Sequence, residues 1–325
     1  MPQDPQRPWI SVAAGALAGL FSDALVHPID TVRTRLQVQQ RASSLAQYTS
    51  ATDAFIKIIK HEGASKLYKG FGAVAAGTIP GHALYFSGYE WSKHALRSYT
   101  HHSDSGTIKS KWHEISGHLM AGFMADIAGA LAWTPQDVIK QRMQAQRHTP
   151  TPQSGSAAAG SSVMYTSSWQ TCRSILREDG FRGLYRGFGA GLLTFGPYVS
   201  IYFMLYEQWK LAVREQSNWL GISNPYYGLQ HPPAHVYWTG AALSGAISAS
   251  MTCPLDVIKT RIQTSRRNDH QGMQYRNAWH ALKVILKEEG LSAFFQGLKP
   301  RALWMASGTA ITMMFYEELM GVMGK

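Results

Sequence analysis

The residues best suited to chemistry in this chain form a short signature that occurs three times. Each copy reads Pro-x-Asp-x-x-Lys/Arg, at Pro28 to Arg33, Pro135 to Lys140 and Pro254 to Lys259. An acid and a base three residues apart lie on one face of a helix, and a proline inside a helix removes a backbone donor and bends the chain. The copies are 107 and 119 residues apart, which indicates a triplicated unit.

Each unit carries two further signatures in the same order. The first is an acid and a glycine followed by an aromatic residue, a polar residue and a second glycine. Its six glycines are Gly63, Gly70, Gly180, Gly187, Gly290 and Gly297. The second is Tyr-Glu with a base three residues later, and its members are Tyr89, Glu90, Lys93, Tyr206, Glu207, Lys210, Tyr316 and Glu317, with Met320 replacing the third base. Together the signatures predict three repeats, 9–104, 113–218 and 234–323.

This combination of signatures resembles the mitochondrial carrier family of inner-membrane solute transporters over roughly residues 9 to 323. The resemblance implies an all-α membrane protein with six transmembrane helices in three pseudo-threefold repeats, each with a short matrix-side helix. It implies alternating access through a central cavity by a monomer embedded in the lipid bilayer. It also implies cardiolipin at the six glycines, where helix starts with free backbone donors favour phosphate. Gln296 replaces the base at the third such site.

Hydropathy supports membrane insertion. Gly70–Tyr89 and Gly187–Tyr206 are each 20 residues without a formal charge, about the length that crosses a bilayer. The remaining predicted spans lie within 12–29, 115–136, 232–255 and 302–316. A mean hydropathy of −0.18 fits helices that face lipid on one side and a wet cavity on the other.

Charge and composition exclude several classes of function. Of 31 Lys and Arg residues, 23 fall in 30–70, 137–187 and 256–301, and basic linkers on one side predict a fixed orientation. In the family that side is the matrix. The bases are spread over three equivalent loops, which argues against nucleic-acid binding. The two cysteines form no disulfide framework, and no catalytic, zinc or nucleotide-loop pattern occurs, so we expect no enzyme activity, cofactor or resident metal.

Threefold symmetry lets each signature acid reach the base of the next repeat. The resemblance implies a matrix gate with the pairs Asp30–Lys140, Asp137–Lys259 and Asp256–Arg33. Because the gate must break during transport, its net strength must stay modest, at about 0–1 kcal/mol for an exposed pair and more where water is excluded. Many family members brace these pairs with a glutamine two residues after the base. Here those positions are Arg35, Arg142 and Arg261, which predicts that the brace is absent.

The Tyr-Glu signatures imply a second gate on the cytoplasmic side. The resemblance pairs Glu90 with Lys210 and Glu317 with Lys93. Glu207 faces Met320, so one pair is missing from this gate. Each acid follows a tyrosine that can donate a hydrogen bond to it.

Substrate contacts in the family fall 12 to 13 residues before the cytoplasmic-side gate acids. Here they are Gly77, Thr78, Thr194, Phe195, Trp304 and Met305. None is charged, whereas carriers of carboxylates or nucleotides usually place arginine there; Arg301, one turn lower, is the exception. Asp23 and Asp126 lie within predicted spans and favour a cation, because an ionised group in a membrane helix is costly and marks function. The alternative is that His118 or a hydroxyl satisfies them.

Two kinds of cation stay open. The segment from Pro80 to Glu90 resembles a mitoferrin pattern, and mitoferrins move iron, which makes His82 a candidate metal ligand. Asp23 stands where a mitoferrin is expected to have histidine. The acid pair and the Pro-Arg-x-x-Trp segment at 300–304 resemble S-adenosylmethionine carriers. A metal ion such as iron is the first hypothesis, S-adenosylmethionine or another organic cation the second, and a non-transporting interaction protein the third.

Overall fold

The computed structural model of the protein describes residues 8–39, 48–100, 108–146, 165–215, 234–265, 275 and 277–323. Within these ranges the regular structure is helical, and no β-strand occurs. Three repeats follow one plan, in which a long helix, a short amphipathic helix, a single helical turn and a second long helix succeed one another. This all-α, three-repeat arrangement confirms the predicted fold class.

The bounds of the helices show how closely the repeats correspond. The first repeat contains α1 (Pro8–Val38), α2 (Ala51–Glu62), a 3₁₀ turn (Ala64–Tyr68) and α3 (Phe71–Thr100). The second contains α4 (Ile108–Gln144), α5 (Ser168–Glu178), α6 (Phe181–Leu184) and α7 (Phe188–Glu215). The third contains α8 (Ala234–Met251), α9 (Cys253–Thr264), α10 (Ala278–Glu288), a 3₁₀ turn (Leu291–Phe295) and α11 (Leu298–Met323).

The signature prolines bend the first long helices to different degrees. Pro28 and Pro135 lie inside the continuous helices α1 and α4. In the third repeat the helix breaks at Thr252, and α8 and α9 meet at a bend of 68°. Pro254 then lies in the first turn of α9, where its missing N–H needs no intrahelical partner.

Polarity is distributed inside out compared with a water-soluble bundle. Large apolar side chains are exposed along the outer faces of the long helices, among them Leu17, Phe21, Ile79, Phe123, Leu193, Phe203 and Leu303. Charged side chains such as Asp30, Arg33 and Asp256 are buried instead. Many exposed apolar side chains together with buried charges fit a lipid environment.

The mean hydropathy of single helices identifies fewer membrane spans than the six that the sequence predicts. Among the described residues, Phe181–Val213 alone is long and apolar enough to cross a membrane, and the bent pair His235–Met251 and Cys253–Thr264 passes when taken together. Polar residues on the inner faces, such as Asp23 and Asp126, lower the average of the other long helices. The charge-free runs and the threefold repeat are therefore better evidence for six membrane spans than mean hydropathy is.

The short helices α2, α5 and α10 begin and end alike. The side chains of Ser50, Ser167 and Asn277 each accept a hydrogen bond from the backbone N–H three residues on, as helix N-caps do. The six signature glycines flank the turns that follow, and all have positive φ between 69° and 94°. Only glycine adopts this conformation without strain, so the signature glycines set the path from each short helix into the next long helix.

Candidate transport site

Six charged side chains meet at the end of the bundle where α2, α5 and α10 lie, which we call the linker end. Lys140 Nζ lies 3.2 Å from Asp30 Oδ2, Lys259 Nζ lies 2.7 Å from Asp137 Oδ2, and Arg33 pairs with Asp256. Each pair joins two different repeats. We call these six residues the linker-end ring. Contacts of 2.9 Å from Arg33 to Asp30 and 3.6 Å from Lys140 to Asp137, each within one helix, connect the pairs.

The three inter-repeat pairs differ in burial. The side chains of Asp30 and Asp256 are 3% and 6% exposed, so water is nearly excluded from their pairs. The Asp137 and Lys259 side chains are 20% and 21% exposed. An ion pair kept from water holds more tightly when intact and costs more when one partner is removed. The Asp137–Lys259 pair is therefore the most accessible of the three.

The prediction that no glutamine braces the ring is wrong. Glutamines stand four residues after each base rather than two, and one helical turn of four places them on the same face as the base. Gln37 Nε2 donates to Asp256 at 2.8 Å, and Gln144 Nε2 donates to Asp30 at 3.2 Å. The third glutamine, Gln263, donates no hydrogen bond to Asp137 in the described part of the chain, and its Oε1 is buried without a partner. Two of three pairs are therefore braced.

A second charged layer lies next to the ring. Its arginines pair with the signature acid of their own repeat: Arg35 with Glu62, Arg142 with Asp179 and Arg261 with Glu289. Through Nε they donate to backbone carbonyls of the next repeat, at Gln144, Gln263 and Gln37, over 3.0, 3.3 and 2.9 Å. Cations at the carboxyl ends of helices satisfy the last carbonyls and oppose the helix dipole. The arginines thus link all three repeats.

The third repeat adds two large side chains to the ring. Arg301 is 2% exposed, its Nε lies 3.5 Å from Asp256 Oδ2, and its Nη2 donates to Thr252 at 2.9 Å. The Trp304 ring lies 4.6 Å from the Arg33 guanidinium carbon and 6.0 Å from Lys140 Nζ, in cation–π geometry. Equivalent positions of the other repeats carry smaller side chains, so the ring is reinforced on one side only.

A cavity of about 420 Å³ borders the linker-end ring. Its wall contains Asp23, Asp126, Trp133, Gln136, Phe195 and Trp304, together with the ring residues Asp30, Asp137, Lys140 and Lys259. A second cavity of about 400 Å³ lies between α1 and α11 and shares Asp23 and Trp304 with the first. The two cavities therefore adjoin at one acid and one aromatic ring.

The structure brings part of the predicted substrate site to these cavities. Asp23, Asp126, Phe195 and Trp304 border the first, and Met305 borders the second. Thr78 and Thr194 are not on either wall; each hydroxyl donates to a carbonyl of its own helix at 2.7 Å. Gly77 is covered by the side chain of Gln136, and Arg301 lies on neither cavity wall but contacts Asp256 of the ring. The side chain of His118 is outside the described residues.

His82 lies beside the cavity wall rather than on it. One of its ring nitrogens, Nδ1, is 2.7 Å from the Thr78 carbonyl oxygen of the preceding turn, in hydrogen-bond contact. The imidazole packs edge-on against Trp133 with 5.5 Å between ring centroids. Among the described residues no group of three His, Cys, Asp or Glu side chains is placed to hold a metal ion. In this conformation His82 supports Trp133.

Sequence reasoning missed several residues of the cavity wall, among them His27, Trp133 and Gln136. The missed signal is an asymmetry among the repeats. The position between proline and acid is Ile29 in the first signature and Leu255 in the third, but Gln136 in the second. A polar side chain at one of three otherwise apolar positions indicates a function that is specific to the second repeat.

At the opposite end of the bundle the charged side chains are arranged differently. Lys210 pairs with Glu207 of its own helix at 2.6 Å, and its Nζ lies 5.2 Å from the Tyr206 ring centroid. Glu90 is exposed, and Tyr89 is half-buried. The side chains of Lys93, Tyr316, Glu317 and Met320 lie outside the described residues. Lys210 is thus engaged within its own repeat rather than with Glu90.

Comparison with known proteins agrees with this architecture. The chain matches the family described as mitochondrial carrier protein over residues 4–100, 111–217 and 230–325. It is 43% identical to mitochondrial substrate carrier family protein E of Dictyostelium discoideum, over 95% of this chain and 94% of the relative. It is 32% identical to an S-adenosylmethionine mitochondrial carrier protein homolog of Drosophila melanogaster (97% and 93% covered) and 30% identical to mitoferrin of Dictyostelium discoideum (98% and 95% covered). The chain belongs to the mitochondrial carrier family of solute transporters.

Proposed function

We propose that this carrier moves an organic cation across the mitochondrial inner membrane by alternating access, with S-adenosylmethionine as the first cargo to test. The observation that carries the proposal is the composition of the cavity wall. Two acids without an ion-pair partner among the described residues, Asp23 and Asp126, share the wall with Trp133, Phe195 and Trp304.

The charge of the cavity favours a cation. The linker-end ring has three acids and three bases, and Arg301 adds one further base beside Asp256. Asp23 and Asp126 are additional, and neither is in a salt bridge within the described part of the chain. Carboxylates within a membrane protein attract a cation strongly because little water screens them.

The shape and chemistry of the wall favour an organic cation over a bare metal ion. A volume of about 420 Å³ lies in the range of small-molecule sites. Aromatic faces stabilise organic cations by about 0.5–2 kcal/mol each, and they also stack on flat heterocycles. S-adenosylmethionine is a net cation that contains a sulfonium, an ammonium group, a carboxylate and an adenine ring. The two acids of the wall match its two cationic centres, and the three aromatic side chains match the ring.

In this proposal the linker-end ring is the matrix gate and the Tyr-Glu signatures form the cytoplasmic-side gate. The inter-repeat pairs are formed at the linker end, and Lys210 is held within its own helix at the other. Such a state admits substrate from the cytoplasmic side. Substrate binding then has to favour separation of the ion pairs in the linker-end ring. These pairs break, and inter-repeat pairs form at the opposite end.

We also propose that the carrier acts as a monomer in the lipid bilayer, with cardiolipin at the six positive-φ glycines. Helix starts beside these glycines present free N–H groups to phosphate. Lys66, Lys69 and Arg35 bring positive charge close to Gly70, and burial together with these neighbouring cations lowers the pKa of Lys69. Gln296 leaves the third site with less charge.

A metal ion such as iron is the second candidate, supported by the likeness to mitoferrin over 98% of this chain. It requires His82 to leave its hydrogen-bond contact with Thr78 and turn into the cavity. A non-transporting interaction protein is disfavoured, because all three inter-repeat pairs of the linker-end ring are present.

The test is uptake of labelled S-adenosylmethionine and labelled ferrous iron into the same proteoliposomes. We expect S-adenosylmethionine uptake in the wild type, and a loss of tenfold or more in Asp23→Asn and in Asp126→Asn. Glu288→Gln is the matched control, because it removes the same charge from an exposed position on α10. Uptake of iron without S-adenosylmethionine, abolished by His82→Ala, would replace the organic cation by the metal.

A further inference from the structure

The three bases of the linker-end ring differ in how many acids hold them. Arg33 and Lys140 each contact two acids. Lys259 contacts one, because among the described residues its Nζ pairs with Asp137 alone, at 2.7 Å. An ammonium group has three N–H donors, so Lys259 keeps hydrogen-bonding capacity for a second anion.

Lys259 is also the most accessible base of the ring. Its side chain is 21% exposed, against 8% for Arg33 and 11% for Lys140, and it borders the first cavity. The lysine stem passes Gly191 of α7, which borders the same cavity: a Cβ atom added to Gly191 would lie 3.7 Å from Lys259 Cε. A group held in this cavity can therefore reach the ammonium without entering a helix interface.

Asp137 keeps a cation beside it when Lys259 leaves. Lys140, one turn further along α4, lies 3.6 Å from Asp137 Oδ1, whereas Lys259 pairs with Oδ2. The Asp137 side chain is 20% exposed, and Gln263 donates no hydrogen bond to it within the described residues. The other two ring acids are more buried, and a glutamine braces each of them. The Asp137–Lys259 pair is therefore the one that another anion can replace at the lowest cost.

Lys259 would oppose a cargo that carried positive charge alone. Asp23 and Asp126 stand seven residues before Asp30 and eleven before Asp137, about two and three helical turns from the ring. A cation bound at these acids would be repelled by Lys259, whose charge also acts on Asp126, unless the cargo presents an anionic group to it. The arrangement therefore fits a cargo with cationic centres toward the two acids and an anionic group toward the ring.

We propose that Lys259 binds a carboxylate of the transported cation, and that this carboxylate replaces Asp137 as the partner of Lys259. The inference rests on the proposed organic-cation function and narrows its cargo to an α-amino acid with a further cationic centre. Binding of the carboxylate removes the least protected inter-repeat pair of the linker-end ring, so one side chain serves both recognition of the cargo and opening of the proposed matrix gate. S-adenosylmethionine has the required carboxylate, ammonium and sulfonium groups.

The test compares S-adenosylmethionine with its decarboxylated analogue, which keeps the sulfonium, the amine and the adenine ring. The analogue carries one more net positive charge, so a cavity that only attracts positive charge should bind it equally well or better. We expect the opposite in the detergent-purified carrier, where the analogue should need a concentration about tenfold higher or more to give half of the maximal shift in Tm. In proteoliposomes it should inhibit S-adenosylmethionine uptake only at correspondingly higher concentrations.

Three variants separate recognition from the structural role of the ring. Lys259→Gln removes the ammonium, and the preference for S-adenosylmethionine over the analogue should disappear. Lys140→Gln is the matched control, because it removes the same charge from a ring base that two acids hold, and the preference should remain. Lys259→Arg keeps a cation that binds carboxylates and should retain the preference. A role in pairing alone would change Tm and uptake but leave the ratio of the two affinities at the wild-type value.

The outcomes distinguish this inference from the proposed function. Equal or tighter binding of the decarboxylated analogue by the wild type overturns the role of Lys259 and leaves the organic-cation function in place; this comparison does not depend on any variant folding. An unchanged preference in Lys259→Gln assigns the carboxylate to another group and also overturns the role of Lys259. Absence of binding and uptake of both compounds in the wild type removes the proposed function and this inference together.

Discussion

The two ends of the bundle carry similar charges in different arrangements. At the linker end, acids and bases of different repeats pair, and water is nearly excluded from two of the three pairs. Two glutamines and a second layer of arginines support these pairs. At the opposite end, Glu207 and Lys210 pair within one helix, with side chains 58% and 33% exposed. Inter-repeat pairing holds the bundle closed, whereas pairing within one helix leaves the repeats free to separate.

The difference between the two ends shows which interactions oppose opening of the bundle. Burial and bracing strengthen the linker-end ring, so the substrate must offset that strength to open it. The opposite end, as described, contributes little to closure. An alternating-access carrier needs such a difference between its ends in each state, and it needs the difference to reverse during the cycle.

Breaking the ring by charge reversal should have the largest effect. Asp137→Lys places a like charge beside both Lys259 and Lys140. The Asp137–Lys259 pair is about four-fifths buried, so the cost should approach the roughly 3–5 kcal/mol of breaking a buried pair. We expect no uptake in proteoliposomes, although the protein still inserts. Lys259→Asp in the same chain should restore part of the uptake by re-forming the pair with opposite polarity. Wild-type uptake by the single variant would show that this pair does not control transport.

Removing one arginine of the second layer should have the next largest effect, chiefly on stability. Arg261→Ala leaves Glu289 buried without its guanidinium and removes the hydrogen bond to the Gln37 carbonyl. The loss of a buried ion-pair partner costs about 3–5 kcal/mol, so Tm in detergent should fall by several degrees or more. Arg177→Ala is a matched control, because Arg177 is exposed on α5. Equal Tm values for the two variants would contradict the structural role.

Removing a glutamine brace should have a smaller effect that depends on the repeat. Gln37 donates to Asp256 at 2.8 Å, and a hydrogen bond to a charged group is worth about 1.5–3 kcal/mol. Gln37→Leu should therefore lower Tm more than Gln263→Leu does, because Gln263 donates no hydrogen bond to Asp137 within the described residues. The two variants are matched in chemistry and position. Equal losses would mean that the braces are equivalent and that the asymmetry of the ring is unimportant.

Much of this architecture can be predicted from the sequence, because it depends on local spacing. The three repeats, the long helices and the acid–base pairs across repeats follow from signatures with constant internal distances. The glutamine brace also follows a constant spacing, because a glutamine stands four residues after each base. It was missed because the position two residues after the base was considered instead. Arg35 at that nearer position faces Glu62 and the next repeat.

The cavity wall is less predictable, since it depends on how side chains share space between helices. Thr78 and Thr194 have the polarity of contact residues, but their hydroxyls bond to the preceding turns. Trp133 and Gln136 reach the cavity only because Gly81 and Gly77 lack side chains. No pattern within one helix reveals such complementarity; a residue that departs from its equivalents in the other repeats, as Gln136 does, is the best available indication.

The smallest effect on stability is expected at the opposite end. Glu207→Gln removes one partner of an exposed pair within one helix, and such pairs contribute about 0.3–0.5 kcal/mol. We expect a Tm in detergent within about one degree of the wild type, and near-additivity with Lys210→Met in a double-mutant cycle. Transport is a separate measurement, since Glu207 and Lys210 belong to the proposed cytoplasmic-side gate: uptake should slow if the gate has to form during the cycle. A fall in Tm as large as that of Arg261→Ala would show that the opposite end is also closed by strong pairing, and the contrast between the two ends would then be lost.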